Sequence, residues 1–180
     1  KKSDHLEKPA LNFLISDISG ERLQLARDSS SAIQELNILD TATDVIYIID
    51  GEKLSDKRNR QATLFNAYTF LRRSLDDNIL GANIDIKIVI SKWDTLCNDS
   101  SFDFESAIVK YFQEQFGSRF KSLSFAKIAA RPKKPIEGIT FGYGVFELLT
   151  EWVEKAFNPI IENYPIEKPK GERYFDNFNN

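Results

Sequence analysis

A carboxylate and a lysine stand close together in the segment Ser91-Lys92-Trp93-Asp94. The Asp94 carboxylate can accept hydrogen bonds from two neighbouring N–H donors, and guanine presents such a pair in its N1–H and its exocyclic amine, whereas adenine does not. The aliphatic stem of Lys92 can lie across a base or a ribose. The same residue types also suit a plain turn between a strand and a helix, so this segment alone is moderately specific.

A second segment that can do chemistry is Asp17-Ile18-Ser19-Gly20-Glu21. An aspartate at a strand end can hold Mg²⁺, directly or through water, and a glycine after it lets a backbone N–H approach a phosphate oxygen. The simpler interpretations are turn chemistry for Asp17 and Gly20 and a first-turn helix acid for Glu21.

Both segments follow short apolar runs, and these runs alternate with amphipathic stretches. We predict strands at residues 10–16, 44–49, 84–90 and 123–128, ending at or just before Asp17, Asp50, Ser91 and Ala129. Helical spacing predicts helices at residues 21 to about 39, 60–75, from Ser101 or Asp103 to Gly117, and 144–157, the last with Val145, Leu148, Leu149, Trp152 and Val153 turned inward. This alternation predicts an α/β fold, with a mostly parallel sheet between two layers of helices. Ligands bind such sheets at the carboxyl ends of the strands.

Three strand-end segments resemble, in order, the third, fourth and fifth signature motifs of the Ras-like, translation-factor-class GTPases, which have the P-loop NTPase fold. The segments are Asp17-x-x-Gly20, Ser91-Lys92-x-Asp94 and Ala129-Ala130-Arg131. The resemblance spans residues 10–157. The Asp-x-x-Gly-Glu variant with a long helix after it most resembles the bacterial double-GTPase families, which are associated with conflict and defence systems.

The resemblance implies a site for GTP or GDP with Mg²⁺. It implies Asp17 as the metal ligand, Gly20 at the phosphates, Glu21 as the catalytic residue, and Ser91, Lys92, Asp94 and Ala130 at the base. Ser91 departs from the family's usual Asn, which braces the loop. Ala130 differs in its neighbours from the usual Ser-Ala-Lys, but a backbone N–H performs the contact there.

The phosphate-binding loop of such GTPases is not found in these residues. Its pattern is G-x-x-x-x-G-K-[ST], and the 180 residues contain no Gly-Lys dipeptide. In the Ras-like sheet the strand before this loop lies between those ending here at Asp17 and Ile49, and without it two rows of backbone groups stay unpaired. Because the chain contains no Met, we expect an upstream segment of a longer polypeptide to supply that strand.

Three functions remain open from the sequence. Residues 1–158 suit a GTP-binding, GTP-hydrolysing switch domain of a larger protein, with residues 159–180 as a polar tail or linker. They also suit a pseudo-GTPase scaffold with little nucleotide turnover. A metal-dependent adhesion domain of the von Willebrand A type is the third, because Asp17-Ile18-Ser19-Gly20 resembles its D-x-S-x-S motif, although Glu21 breaks that motif and Asp94 has no role in it.

Composition narrows the partners. The net charge of -3 gives no electrostatic reason to expect nucleic acid or an anionic membrane, so we expect protein partners or other domains of the same polypeptide. The one cysteine, Cys97, suits a reducing compartment and predicts a cytoplasmic location. We interpret Lys133 and Lys134 as a solvated loop, and Asp50-Gly51-Glu52 as strand-end turn chemistry.

Overall fold

The computed structural model describes residues 17–36, 38–39, 42–134 and 136–157. Three parallel strands form a sheet in the order β1 (Asp44–Asp50), β2 (Asp85–Ser91) and β3 (Ser122–Lys127). The helices of the described residues are α1 (Gly20–Asp28), α2 (Ser30–Gln34), α3 (Gly51–Ser55), α4 (Lys57–Asp76), α5 (Tyr111–Phe116) and α6 (Val145–Phe157). A 3-10 turn (Trp93–Thr95) and a π-helical stretch (Glu105–Lys110), which runs into α5, complete the fold. The α/β prediction is confirmed.

Two predicted segments, the strand at 10–16 and the tail at 159–180, lie outside the described residues. None of the described helices is both long and apolar enough to cross a membrane.

The main core lies between one face of the sheet and α4. Ile86, Ile88 and Ile90 of β2 are essentially inaccessible to solvent, as is Phe70 of α4. The Tyr47 ring of β1 contacts that of Phe70, with centroids 5.3 Å apart. A strand buried on both faces reads as a continuous apolar run, which is why the sequence of β2 predicts its position within one residue.

Helix α6 lies on the opposite face of the sheet, where ion pairs hold it. The Lys87 ammonium of β2 lies 2.7 Å from the Glu151 carboxylate, and Lys155 contacts both Asp44 and Asp85 at the amino ends of β1 and β2. Lys87 is 9% exposed, so its charge is desolvated and needs this partner. The helix is therefore held over β2.

The middle of β1 stays open on the α6 side. Ile48 of β1 pairs in register with Val89 of β2, so both side chains point to the face that carries α6. Val89 is fully buried, whereas Ile48 is 61% exposed. Helix α6 thus shields β2 and leaves part of β1 uncovered.

The prediction that Leu149 and Val153 turn inward is wrong for the described residues. They are 48% and 38% exposed, and Phe146 on the same flank is 75% exposed. The ion pairs of α6 turn Glu151 toward the sheet together with Leu148, which leaves Leu149 about 100° further round the helix. The apolar flank of α6 is therefore exposed to solvent.

The prediction of a single helix from residue 21 to about 39 is also wrong, because the helix is interrupted at Ser29. Helix α1 ends at Asp28, and Ser29 has an extended backbone (φ -142°, ψ 131°). The Ser29 hydroxyl accepts from the backbone N–H of Ala32 at 3.4 Å and so caps α2. Serine hydroxyls compete with the helical hydrogen bonds in this way. The helical spacing of apolar residues alone does not reveal that competition.

Candidate functional site

The carboxyl ends of β1 and β2 lie side by side, because Asp50 pairs in register with Ser91. The Ser91 hydroxyl donates to the backbone oxygen of Ile49 at 3.3 Å, so it joins the two strand ends. Lys92 follows in the left-handed region, with φ 49°, and its backbone oxygen accepts from the Thr95 hydroxyl at 2.8 Å. The chain therefore turns sharply after β2.

The turn after β2 is joined to the loop after β3. The backbone N–H of Trp93 donates to the backbone oxygen of Ile128 at 2.9 Å. The Asp94 Oδ2 oxygen accepts from the backbone N–H of Lys133 at 3.1 Å. These two bonds fix the Asp94 carboxylate between the two loops.

Ala130 lies at the start of the loop after β3. Its backbone oxygen accepts from Gly142 N–H at 3.0 Å, and the N–H of Ala129 donates to Tyr143 at 2.9 Å. Ala129 is buried, whereas Ala130 is exposed. The loop is therefore closed at its base, and Ala130 stands on the same side of the sheet end as Asp94.

Lys92 is held by two carboxylates at the carboxyl end of β1. Its ammonium lies 3.0 Å from Asp50 Oδ2 and 2.9 Å from Glu52 Oε2. The other oxygen of Glu52 pairs with the Lys133 ammonium. Bonds from Lys133 and Lys92 lower the pKa of Glu52 to about 2, and the bond to Glu52 raises the pKa of Lys92.

The structure adds contacts to two of our interpretations. Asp50 does perform turn chemistry, because its Oδ1 accepts from Glu52 N–H at 2.9 Å and caps α3. Glu52, however, bridges two lysines, which that interpretation does not include. The Lys133 side chain is exposed, as the interpretation of a solvated loop predicts, but its backbone N–H and its ammonium are both bonded.

Gly51 brings α3 against the turn after β2. A Cβ built on Gly51 would lie 2.9 Å from the backbone oxygen of Lys92 and closer still to that of Ser91. Only a glycine allows this approach without a shift of backbone. The first turn of α3 is therefore a support for the Ser91–Asp94 turn.

The outer side of the same turn rests on a lysine and two aromatic rings. The Lys127 ammonium lies 4.6 Å from the Trp93 ring centroid and 4.0 Å from that of Phe104. The two rings contact each other edge to face, with centroids 5.6 Å apart. Cation–π attraction thus ties the end of β3 to the turn.

Asp17, Gly20 and Glu21 lie at the start of α1, and all three are exposed. Ser19 caps the helix by accepting from Arg22 N–H at 3.4 Å. Within the described ranges no hydrogen bond or ion pair links these three residues to the Ser91–Asp94 turn. The hydrogen bonds of the described residues therefore join the Ser91–Asp94 turn to the loop that carries Ala130 and do not link either to the metal and phosphate candidates.

The fit of Mg²⁺ rests on Asp17. In the described part of the chain no three His, Cys, Asp or Glu side chains form a metal-binding group. Mg²⁺ usually takes one or two protein carboxylates and completes its shell with phosphate oxygens and water. One exposed carboxylate fits that pattern as a single ligand, with nucleotide phosphates as the other ligands.

The comparison with protein families decides the class. The model of the Double-GTPase 2 family matches residues 3–153. This chain belongs to that family. Neither the curated proteins nor the solved structures yielded a match. The Double-GTPase 2 membership confirms the GTPase resemblance and the Ras-like P-loop α/β fold, and it identifies a domain of a GTP-binding class. It gives no support to a von Willebrand A-type adhesion domain.

Sequence reasoning missed two residues of this candidate site, Glu52 and Lys133. They are 81 residues apart in the chain, and neither belongs to a signature motif. The available signal was position, since Glu52 follows the end of β1 and Lys133 follows the fifth motif. Both therefore lie at the edge of the sheet where ligands bind.

Proposed function

We propose that this Double-GTPase 2 domain binds guanine nucleotide and hydrolyses GTP as the switch domain of a larger protein. The observation that carries the proposal is the Asp94 carboxylate, which stands at the carboxyl end of β2 and is bonded to the loop after β3. A parallel α/β sheet binds ligands at this edge.

Asp94 would read the base. One lone pair of its Oδ2 accepts from Lys133, which leaves Oδ1 and a further lone pair for the N1–H and the amine of guanine. Lys92 would cover the base with its stem, beside Ser91 at the strand end. The backbone N–H of Ala130 would donate to the guanine carbonyl oxygen.

The start of α1 would serve the phosphates. Asp17 would hold Mg²⁺, directly or through water, and the N–H of Gly20 would bond the γ-phosphate. Glu21 would accept a bond from the attacking water. Its negative charge near the γ-phosphate predicts slow intrinsic hydrolysis, because like charges raise the energy of the reacting state.

We propose that the phosphate-binding loop comes from a part of the protein outside the described residues. Two exposed apolar surfaces support this: Ile48 in the middle of β1, and the α6 flank of Leu149 and Val153. Strands of a parallel sheet are normally covered on both faces. A further strand beside β1, followed by a helix on the α6 side, would cover both surfaces.

These surfaces lie on the same side of α6. Glu147 and Glu151 line a depression beside Phe125 and Lys127 of β3, so this polar flank of α6 faces β3. The flank with Leu149 lies across the helix from it and faces β1. A helix seated there would contact Ile48 and Leu149 together.

A pseudo-GTPase scaffold with little turnover is the second candidate. It would be favoured if the full-length protein contained no phosphate-binding loop, since these 180 residues have no Gly-Lys dipeptide. In either case we propose that other domains or protein partners respond to the domain. The single cysteine fits a cytoplasmic setting.

The test is a titration of the full-length protein with labelled GTP, GDP and ATP in Mg²⁺, beside an Asp94→Ala variant. Guanine-selective binding that is lost in the variant supports the base site. GTP hydrolysis measured in the same protein then separates the switch from the scaffold. A folded protein that binds none of the three nucleotides overturns the nucleotide-binding proposal.

A further inference from the structure

Glu52 carries a surface carboxylate, but its contacts fix its position closely. It is in the first turn of α3, where Asp50 accepts its N–H at 2.9 Å. The preceding residue, Gly51, is buried against the backbone of Ser91 and Lys92. The backbone of Glu52 is therefore fixed relative to the turn after β2.

The carboxylate of Glu52 spans two loops. One oxygen bonds Lys92, which lies in the turn after β2, and the other bonds Lys133, which lies in the loop after β3. Lys133 in turn donates its backbone N–H to Asp94 at 3.1 Å. The contacts form a closed circuit from Glu52 to Lys92, through the turn to Asp94, and back through Lys133.

We propose that Glu52 is a positioning residue of the base pocket, which holds the loop after β3 against the Ser91–Asp94 turn so that Asp94 and Ala130 stand ready for one guanine. The inference rests on the proposed guanine site and adds a residue that no signature motif contains. Glu52 acts through its two lysines and is not itself a ligand of the base.

The exposure of the circuit determines what it can do. The side chains of Glu52, Lys92 and Lys133 are 47%, 45% and 62% exposed. Ion pairs this exposed contribute little to global stability. Their effect is to order the loops before the ligand binds. Because the loops are then already ordered, the free-energy cost of ordering them does not weaken binding.

The experiment compares Glu52→Gln with Glu114→Gln in the full-length protein. Glu114 is an exposed glutamate of α5, which matches the change without touching the circuit. We expect Glu52→Gln to weaken GDP binding roughly 2- to 10-fold, which corresponds to the cost of ordering one or two side chains on binding. The midpoint of urea unfolding should stay close to that of the wild type, and Glu114→Gln should change neither.

A measurement without nucleotide reads the loop directly. We expect Glu52→Gln to speed hydrogen exchange at the Lys133 amide, because its acceptor Asp94 is then less firmly held in place. We also expect Lys133→Met to weaken GDP binding, and the double variant to bind no more weakly than Glu52→Gln alone, since Glu52→Gln already removes the ion pair with Lys133.

The outcomes separate the two proposals. If wild-type protein binds guanine nucleotide and loses it in Asp94→Ala, but Glu52→Gln behaves like Glu114→Gln in binding and exchange, the positioning role is overturned and the guanine site stands. If the wild type binds no nucleotide, both are overturned. Weaker binding with faster exchange at Lys133 and unchanged unfolding supports the positioning role.

Discussion

The backbone N–H of Lys133 donates to the Oδ2 oxygen of Asp94 at 3.1 Å, across 39 residues of chain. This bond orients the carboxylate that we assign to guanine recognition. It also leaves one carboxylate oxygen unused by Lys133. A bond within the fold therefore positions the carboxylate that we propose to read the base.

Gly51→Ala should destabilise the domain. A Cβ there would lie 2.9 Å from the Lys92 oxygen and nearer to that of Ser91, and both are backbone atoms that move only with β2. We expect a loss of about 1–3 kcal/mol of unfolding free energy, as for overpacked sites, measured by urea unfolding. Gly81→Ala is the control, because a Cβ there meets nothing within 4 Å. Equal losses in both variants would contradict the close packing of α3.

The sequence predicts the strands well and the loops between them poorly. The apolar runs at 44–49 and 84–90 place β1 and β2 within one residue of Asp44–Asp50 and Asp85–Ser91. The helix predicted at 60–75 lies within α4. These elements are recovered because burial on both faces, or at helical spacing, leaves a local pattern.

The contacts of the site leave no such pattern. Glu52 and Lys133 meet only because the carboxyl ends of parallel strands share one edge, and the sequence does not record which loop residues then become neighbours. The exposure of Leu149 has a similar cause. Its apolar spacing indicates burial, but the ion pairs of Lys87 and Lys155 set the rotation of α6.

Lys127→Met should loosen the turn that carries Asp94. The methionine keeps an apolar stem but removes the ammonium that lies 4.6 Å from the Trp93 ring centroid. We expect a loss of about 1 kcal/mol in unfolding free energy and a shift in Trp93 fluorescence, recorded in a Trp152→Phe background because the chain has two tryptophans. Lys110→Met, at an exposed position, should change neither, and an unchanged Trp93 spectrum in Lys127→Met would contradict the contact.

Stability should fall by a small amount in acid through Glu52, because ion pairs this exposed contribute little to the free energy of unfolding. Its pKa in the folded chain is lowered from 4.5 to about 2 by bonds from Lys133 and Lys92. A lowered pKa means that the contribution is fully present above pH 4.5 and is lost as the pH falls toward 2. The pKa of Asp99, lowered by its bonds from Ser101, acts in the same direction.

The check is a set of urea unfolding midpoints between about pH 6 and about pH 3. We expect Glu52→Gln to lose less stability than the wild type over that range, and the difference to shrink in high salt, because exposed charges are screened. Parallel profiles for the two proteins would show that Glu52 does not keep its lysine partners in solution.

Arg60→Lys should destabilise the junction of α3, α4 and the loop that follows the Asp94 turn. The guanidinium donates to the Leu54 oxygen at 2.7 Å and to the Ser101 oxygen at 3.0 Å, and it pairs with Asp99 at 2.5 Å. It also lies 5.2 Å from the centroid of the Phe102 ring. The compact ammonium of a lysine cannot donate to three acceptors that are arranged around the planar fork of a guanidinium.

We expect Arg60→Lys to cost about 1–3 kcal/mol of unfolding free energy, because it leaves one or two acceptors without a donor. Arg72→Lys is the matched control, since Arg72 makes an exposed pair with Asp76 one turn away in α4, and such pairs contribute little. Urea unfolding of both variants decides the point. If Arg60→Lys unfolds with the same midpoint as Arg72→Lys, the fork does not hold the loop that follows the Asp94 turn.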